Sequence, residues 1–214
     1  MQPFSRDQMA ARAADDIPEG WVVNLGIGIP TLVANHVPQT REVIFQSENG
    51  VIGMGPAPAK GKEDPWLINA GKQLITLVKG ASFVGHADSF AMIRGGHIDL
   101  CVLGGFEVAE NGDLANWATS ENDSAPAVGG AMDLAAGAKN IWVIMEHTTK
   151  DGRPKIVERC GYPLTGLGCV TRVYTNLAVL DVVPGTGFVV RDMAPGLTFE
   201  TLQAKSAAKL HRPT

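Results

Sequence analysis

The chain has 214 residues, of which 45% are hydrophobic and 19% charged, and its net charge is −4. This composition is typical of a globular protein that forms its core without disulfides, and it argues against a disordered chain. The acidic balance, without a basic stripe, argues against a nucleic-acid partner.

The first half of the chain alternates helix and strand signals. Ser5 and Gln8 predict a capping box at the start of an amphipathic helix that ends near Gly20. The expected elements that follow are a strand over 21–25, a helix from Pro30 to Val37, a strand over 42–46, a loop over 53–64, a strand over 74–78, a helix over 89–94 and a strand over 98–103.

Turns and hairpins become more frequent in the second half. Asn111-Gly112 predicts a hairpin. The other expected elements are a helix after Gly129-Gly130, strands over 141–145, 169–175, 177–183 and 188–193, and a final helix, capped by Thr198, that contains Leu202 and Leu210. Alternating strands and helices predict an α/β fold with a largely parallel sheet and C-terminal hairpins. No linker is visible, so we expect a single domain over residues 1–214.

Glycine is over-represented, with 25 residues where a usual share is about 7%. The glycines cluster at predicted strand ends, where a backbone turns sharply or approaches a ligand closely. In a parallel sheet, ligands bind at the carboxyl ends of the strands. The pattern favours an active site built from loops, and a turn-rich scaffold is the alternative.

The turn Gly26-Ile27-Gly28 follows a predicted strand, as a dinucleotide-binding fingerprint does. That fingerprint needs a third small residue where this chain has Thr31, so a nicotinamide site is disfavoured. A tight turn between strand and helix is the favoured interpretation. The functional alternative is that its amides face a ligand at the start of the helix.

A second turn, Ser47-Glu48-Asn49-Gly50, ends the strand predicted over 42–46. A carboxylate held at the carboxyl edge of a sheet can act as a nucleophile or a base. The local sequence alone favours an ordinary solvated glutamate, because turns are rich in Asn and Gly. Gly104-Gly105 and Gly129-Gly130 are similarly open, since each could present an amide to an oxyanion or only pack closely.

Several other site types lack support. The five histidines have no third ligand at a metal-site spacing, and no serine lies in a GxSxG elbow. No signal peptide or membrane-length apolar run is evident, so no membrane association is expected. The three cysteines form no CxxC pair, and an odd count without a secretion signal predicts a reducing, cytoplasmic location.

Taken together, the turns resemble the family I CoA-transferases, and specifically the catalytic β subunit of the 3-oxoacid enzymes. The resemblance extends over nearly the whole chain. It is carried by residues 24–28 with 30–31, 47–50 with 53–56, 67–72, 89–97, 112–117, 129–134, 145–147 and 163–166. It implies an open layered α/β sandwich of the CoA-transferase type.

The resemblance also implies a mechanism. Glu48 would be the nucleophile that forms an acyl anhydride and then a CoA thioester, and the Gly130 amide would bind the oxyanions. A glutamine from a companion α subunit, in an α2β2 assembly, would be the second oxyanion donor. CoA is then a substrate, and no cofactor is expected. The residues expected to bind substrate or CoA are Gly26, Gly28, Asn49, Gly50, Gly104 and Gly105.

The acid pair is less clearly indicated. His86–Phe90 and the stretch 121–126 look most like 3-oxoadipate:succinyl-CoA transferases of aromatic degradation, with acetoacetate enzymes as the close alternative. Glu107 stands where similar chains carry glutamine. A carboxylate there would disfavour dicarboxylate substrates if it faced the site and have no such effect if it were peripheral. A CoA-ester hydrolase, a sugar-phosphate isomerase and a non-catalytic CoA-ester sensor are the competing functions, and the intact turn at Glu48 argues against the sensor.

Overall fold

A computed structural model of the chain describes residues 2–38, 40–120 and 128–213. Its α-helices are α1 (Arg6–Asp16), α2 (His86–Arg94), α3 (Ala131–Gly137) and α4 (Phe199–Ala204), and Ile29–Asn35 form a 3₁₀ helix. The strands are β1 (Val22–Leu25), β2 (Ile44–Ser47), β3 (Val51–Met54), β4 (Leu77–Phe83), β5 (Leu100–Leu103), β6 (Glu107–Ala109), β7 (Leu114–Ala115), β8 (Ile141–Met145), β9 (Ile156–Val157), β10 (Val170–Thr175), β11 (Ala178–Val183), β12 (Gly187–Met193) and β13 (Leu210–His211).

A ten-stranded sheet in the order β13-β12-β11-β10-β8-β5-β1-β2-β3-β4 dominates the fold. The central strands β10, β8, β5, β1 and β2 are mutually parallel. Antiparallel hairpins extend the sheet at both sides, β2-β3-β4 and β10-β11-β12. The predicted α/β fold with a parallel centre and C-terminal hairpins is confirmed. The carboxyl ends of the central strands meet at one edge, as the site prediction requires.

Apolar side chains cover both faces of the sheet. On β5, Leu100 and Val102 belong to one core cluster with α1 and the 3₁₀ helix. Their neighbours Cys101 and Leu103 belong to the other cluster, with α2, α3 and the small sheet β7-β6-β9. Because side chains alternate along a strand, a central strand buried on both faces is hydrophobic throughout. This arrangement leaves the strand ends for polar residues.

Some predicted elements are confirmed and others need correction. The capping box is present, with Ser5 N donating to Gln8 Oε1 at 2.8 Å and Gln8 N donating to Ser5 Oγ at 3.2 Å. The loop expected from residue 53 begins later, because β3 extends to Met54. The helix from Pro30 is a 3₁₀ helix that ends at Asn35 rather than Val37.

Two further predictions are wrong in position. The strand expected over 74–78 lies at Leu77–Phe83, because Ile75 N and Thr76 N donate to the loop carbonyls of Leu67 and Pro56. Leu210 is not in the final helix, which ends at Ala204, but in β13. The Gln203 amide holds this change of direction by donating to Ala208 O at 3.0 Å and accepting from Leu210 N at 2.8 Å.

The turn between β2 and β3 depends on Gly50. Its φ is +108°, its N–H donates to Ser47 O, and its carbonyl accepts from Val84 N, both at 2.9 Å. A Cβ at this position would collide with Val84 O. Glycine is therefore required here for both its dihedral angle and its size.

We predict that Gly50→Ala lowers the free energy of unfolding by at least about 3 kcal/mol, since strain and a backbone collision add. Gly185→Ala is the matched control, because Gly185 also has a positive φ, +75°, but open space around its Cα. That variant should lose only about 1 kcal/mol. Urea unfolding of both variants checks this, and equal losses would contradict it.

His147 is fully buried directly after β8 and Glu146. Its Nδ1 lies 3.0 Å from Thr175 Oγ1 and its Nε2 lies 2.9 Å from Ser206 Oγ. Burial, together with the positive charge of Lys205, lowers the pKa of His147 from 6.5 to about 4. The imidazole is therefore neutral in the folded protein at neutral pH and ties β8 to the segment after α4.

The unfolded chain protonates His147 below pH about 6.5 while the folded protein resists this until about pH 4. We therefore predict that stability falls as the pH drops through this window, by up to about 1.4 kcal/mol per pH unit from this group. His147→Gln should flatten that part of the slope. Unfolding free energies measured between pH 7 and pH 4 check this, and an unchanged slope in the variant would refute it.

Candidate active site

A cleft of about 530 Å³ opens at the carboxyl ends of the central strands. The ends of β1, β5 and β8 form its floor, and the start of α3 forms one wall. Its lining mixes apolar side chains with a few polar ones, which are Asn24, Glu48, Asn116, Glu146 and Lys155, together with Arg6 at its rim. A largely apolar cleft with few polar groups is the usual form of a small-molecule site.

Glu48 follows β2 directly and is half-buried in this cleft. The residues beside it fix the turn: buried Ser47 accepts a hydrogen bond from Ala70 N at 2.9 Å, and Asn49 Nδ2 donates to Ile68 O at 2.8 Å. Both partners lie in the segment that precedes β4. The carboxylate is thus held on a braced turn, which suits a group that must meet a substrate in one geometry.

A row of buried polar side chains lies beneath Glu48. Asn24 Nδ2 on β1 donates to Gln46 Oε1 on β2 at 2.6 Å, and Gln46 Nε2 donates to Ser89 Oγ on α2, also at 2.6 Å. All three residues are buried. A buried amide that lost its partner would cost about 1–3 kcal/mol, so this row locks β1, β2 and α2 in register.

The electrostatic environment raises the pKa of the Glu48 carboxyl above its ordinary 4.5. Burial is the main cause, the charge of Asp133 adds to it, and His86 opposes it. Asp133 is itself paired with Arg94 at 2.6 Å. A carboxylate with a raised pKa is a stronger nucleophile when ionised, because it is less well solvated.

Gly130, at the start of α3, lies against the Glu48 carboxylate. A Cβ at this position would overlap Glu48 Oε2 and lie 2.9 Å from its Cδ. The Gly130 backbone has φ −76° and ψ −6°, which any residue can adopt. Size rather than conformation therefore requires glycine, and the helix start approaches the carboxylate as closely as backbone permits.

The cleft brings together five of the residues that the sequence singled out, which are Glu48, Gly130, Gly26, Gly104 and Gly105. Three others lie outside its lining. Gly28 precedes the 3₁₀ helix and its carbonyl accepts from Thr31, while Asn49 and Gly50 hold the turn as described above. The stretch 121–126 falls outside the described residues.

Sequence reasoning missed the polar residues on the other side of the cleft. Asn116 Nδ2 donates to Gly104 O at 3.1 Å, and Lys155 Nζ donates to Gly105 O at 2.7 Å. Asn116 lay within a matched segment without a role of its own. Lys155 gave no signal, because it lies fifty residues from the glycine that it contacts.

Glu107 does not line the cleft. Its Oε2 accepts a hydrogen bond from Gly161 N at 2.6 Å. The peripheral alternative is therefore the one that the structure favours for this carboxylate.

Two searches bear on other kinds of site. Across the described ranges, no group of three or more His, Cys, Asp or Glu residues is arranged to hold a metal ion. Within the same ranges, none of the helices combines the length and apolar character needed to cross a membrane.

Comparisons with known proteins identify the family. A family model described as "Coenzyme A transferase" matches residues 6–205. The β subunit of the 3-oxoadipate CoA-transferase of Acinetobacter baylyi is 55% identical over 207 residues, covering 97% of this chain and 95% of that protein. The protein of the same name from Pseudomonas putida is 56% identical, covering 97% and 96%.

A solved structure shows the same fold. The acyl-CoA transferase apoenzyme of Escherichia coli O157:H7 superposes with a TM-score of 0.76 at 21% identity, covering 98% of this chain and 42% of that one. This chain thus spans less than half the length of that protein. The match of the family model over most of the chain, supported by the two relatives, shows that the chain belongs to the coenzyme A transferase family and is an enzyme of the transferase class.

Proposed function

We propose that this chain is the catalytic β subunit of a 3-oxoacid CoA-transferase that moves CoA from succinyl-CoA to 3-oxoadipate, with Glu48 as the nucleophile. The observation that carries the proposal is the half-buried Glu48 carboxylate in the cleft, approached by the backbone of Gly130. The choice of acids follows the names of the two relatives with 55% and 56% identity.

The reaction proceeds through two covalent states of Glu48. One carboxylate oxygen attacks the acyl-CoA carbonyl carbon, and the C–S bond breaks to give a mixed anhydride and CoA thiolate. The thiolate then attacks Glu48 Cδ, which forms a glutamyl-CoA thioester and releases the first acid with one oxygen from Glu48. The acceptor acid reverses both steps. CoA therefore remains in energy-rich linkages throughout, and no thioester energy is lost to water.

Each addition step creates an oxyanion that needs a hydrogen-bond donor in place. The N–H of Gly130 is our candidate, because the residue lies in contact distance of the carboxylate that is attacked. The loss of one such donor typically costs about 10²- to 10³-fold in rate. The second donor in this proposal is a glutamine of the companion subunit.

The proposal includes a companion α subunit. The two relatives are each named as one subunit of their enzyme, and the cleft in this chain alone leaves the Glu48 carboxylate half-exposed. A companion that covers this edge would exclude water from the anhydride. We propose an α2β2 assembly, which sedimentation of the co-purified complex would test.

We predict that the complex, incubated with succinyl-CoA alone, gains the mass of CoA on the peptide that contains Glu48. Adding 3-oxoadipate should discharge it, because the acceptor acid reverses the reaction. Glu48→Gln should abolish both the adduct and turnover, since an amide is not a comparable nucleophile. Glu146→Gln, which removes the other carboxylate of the cleft, is the control and should still load CoA onto Glu48.

Three outcomes would change this proposal. An unmodified Glu48 in a complex that still exchanges CoA would refute the covalent mechanism. A thioester that decays at the same rate with and without acceptor would favour a hydrolase. Discharge by acetoacetate but not by 3-oxoadipate would overturn the assignment of the acceptor.

We also predict that Gly130→Ala slows thioester formation by at least about 10²-fold, because its methyl group overlaps the Glu48 carboxylate and displaces the oxyanion donor. Gly129→Ala is the matched control, since a Cβ there meets open space. That variant should lose less than about tenfold, although its φ of +56° costs some stability. Quenched-flow measurement of CoA loading, with melting curves for folding, decides between them, and equal rates in the two variants would contradict the role of Gly130.

A further inference from the structure

Lys155 is a half-buried cation in the cleft, on the opposite side from Glu48. Its Nζ donates to Gly105 O at 2.7 Å. Burial lowers the pKa of the ammonium, and Glu146 and Glu107 oppose that shift. Neither carboxylate pairs with it: Glu107 accepts from Gly161 N, and Glu146 lies 3.7 Å from Arg6 Nε. The ammonium thus has a single carbonyl partner among the described residues and hydrogens to spare.

Two backbone donors lie beside this ammonium. In the part of the chain that the structure describes, neither Gly104 N nor Gly105 N donates a hydrogen bond to a backbone carbonyl. Gly104 also has open space where a side chain would be. Its carbonyl is instead held by Asn116, which fixes the orientation of the peptide. One cation and two adjacent N–H groups form a suitable environment for an anion.

The distance to Glu48 sets the size of that anion. Glu48 follows β2, Gly104 follows β5, and β1 lies between them. Two strand spacings place the two groups roughly 10 Å apart. An extended acyl chain of four to six carbons spans roughly 4–6 Å between its end carbons, with hydrogen-bond contacts of about 3 Å at each end. A short dicarboxylate fits this interval.

We propose that Lys155, with the N–H groups of Gly104 and Gly105, forms a subsite that binds the distal carboxylate of a dicarboxylic acyl group while its other end reacts at Glu48. The inference rests on the proposed function and adds the residues that select a dicarboxylic over a monocarboxylic acid. Leu103, Phe106 and Met145 line the cleft and would contact the methylene groups.

Acceptor preference tests the subsite. The complex is assayed with 3-oxoadipate and with 3-oxohexanoate, which has the same carbon chain and 3-oxo group but lacks the distal carboxylate. Lys155→Met removes the charge, and Lys155→Gln removes the charge but can still donate to Gly105 O. Lys155→Arg keeps the charge. Lys150→Met is the matched control, because Lys150 is an exposed lysine in the same connection between β8 and β9.

For Lys155→Met and Lys155→Gln we expect kcat/KM for 3-oxoadipate to fall roughly 10- to 100-fold, the value of a hydrogen bond to a charged group. The value for 3-oxohexanoate should change less than about threefold. Lys155→Arg and Lys150→Met should keep the wild-type preference. Lys155→Gln decides the question if the methionine variant does not fold.

Two results would overturn the subsite. One is an equal loss for both acids, which would mean that Lys155 only positions the Gly104-Gly105 backbone. The other is an unchanged preference in the uncharged variants. The proposed function is judged separately by CoA loading of wild-type Glu48, because its failure would leave the preference ratio measurable and a normal result would leave the subsite to stand or fall on that ratio.

Discussion

The turn from β2 into β3 is the constraint on which the site depends. It places Glu48 beyond the edge of the sheet and returns the chain at once, which requires the positive φ of Gly50 and its contact with Val84. Hydrogen bonds from the segment before β4 brace it on the open side. The carboxylate therefore has few ways to move, and α3 can approach it to backbone contact at Gly130.

The same packing accounts for the chemistry. A carboxylate on a free turn would be fully solvated and weakly nucleophilic, whereas burial raises the pKa of Glu48. The buried row of Asn24, Gln46 and Ser89 satisfies the polar atoms beneath it without introducing a charge. Desolvation and neutral hydrogen bonding thus favour reaction over solvation. The peptide of Gly104 and Gly105 on the neighbouring strand, held by Asn116 and Lys155, supplies the second wall of the cleft.

Local signals predicted the elements and one side of the site well. Strand periodicity located β8 at Ile141–Met145, and glycine pairs at strand ends pointed to Gly104 and Gly130. Leu210 was misplaced because its pairing with Phe188 is a long-range contact that helical spacing imitates. Lys155 was missed for a similar reason, since its partner is distant in sequence. The role of Glu48 needed the family resemblance, because a turn glutamate carries no local mark of burial.

The covalent role of Glu48 can be tested most directly by following oxygen. The complex is incubated with succinyl-CoA and 3-oxoadipate labelled with ¹⁸O in its reacting carboxylate, and the mass of the Glu48 peptide is recorded. If the acceptor acid attacks a glutamyl-CoA thioester and the anhydride then opens at the acid carbonyl, one labelled oxygen remains on Glu48. The account predicts that label on wild-type Glu48 after turnover. Product formation with an unlabelled Glu48 would contradict it.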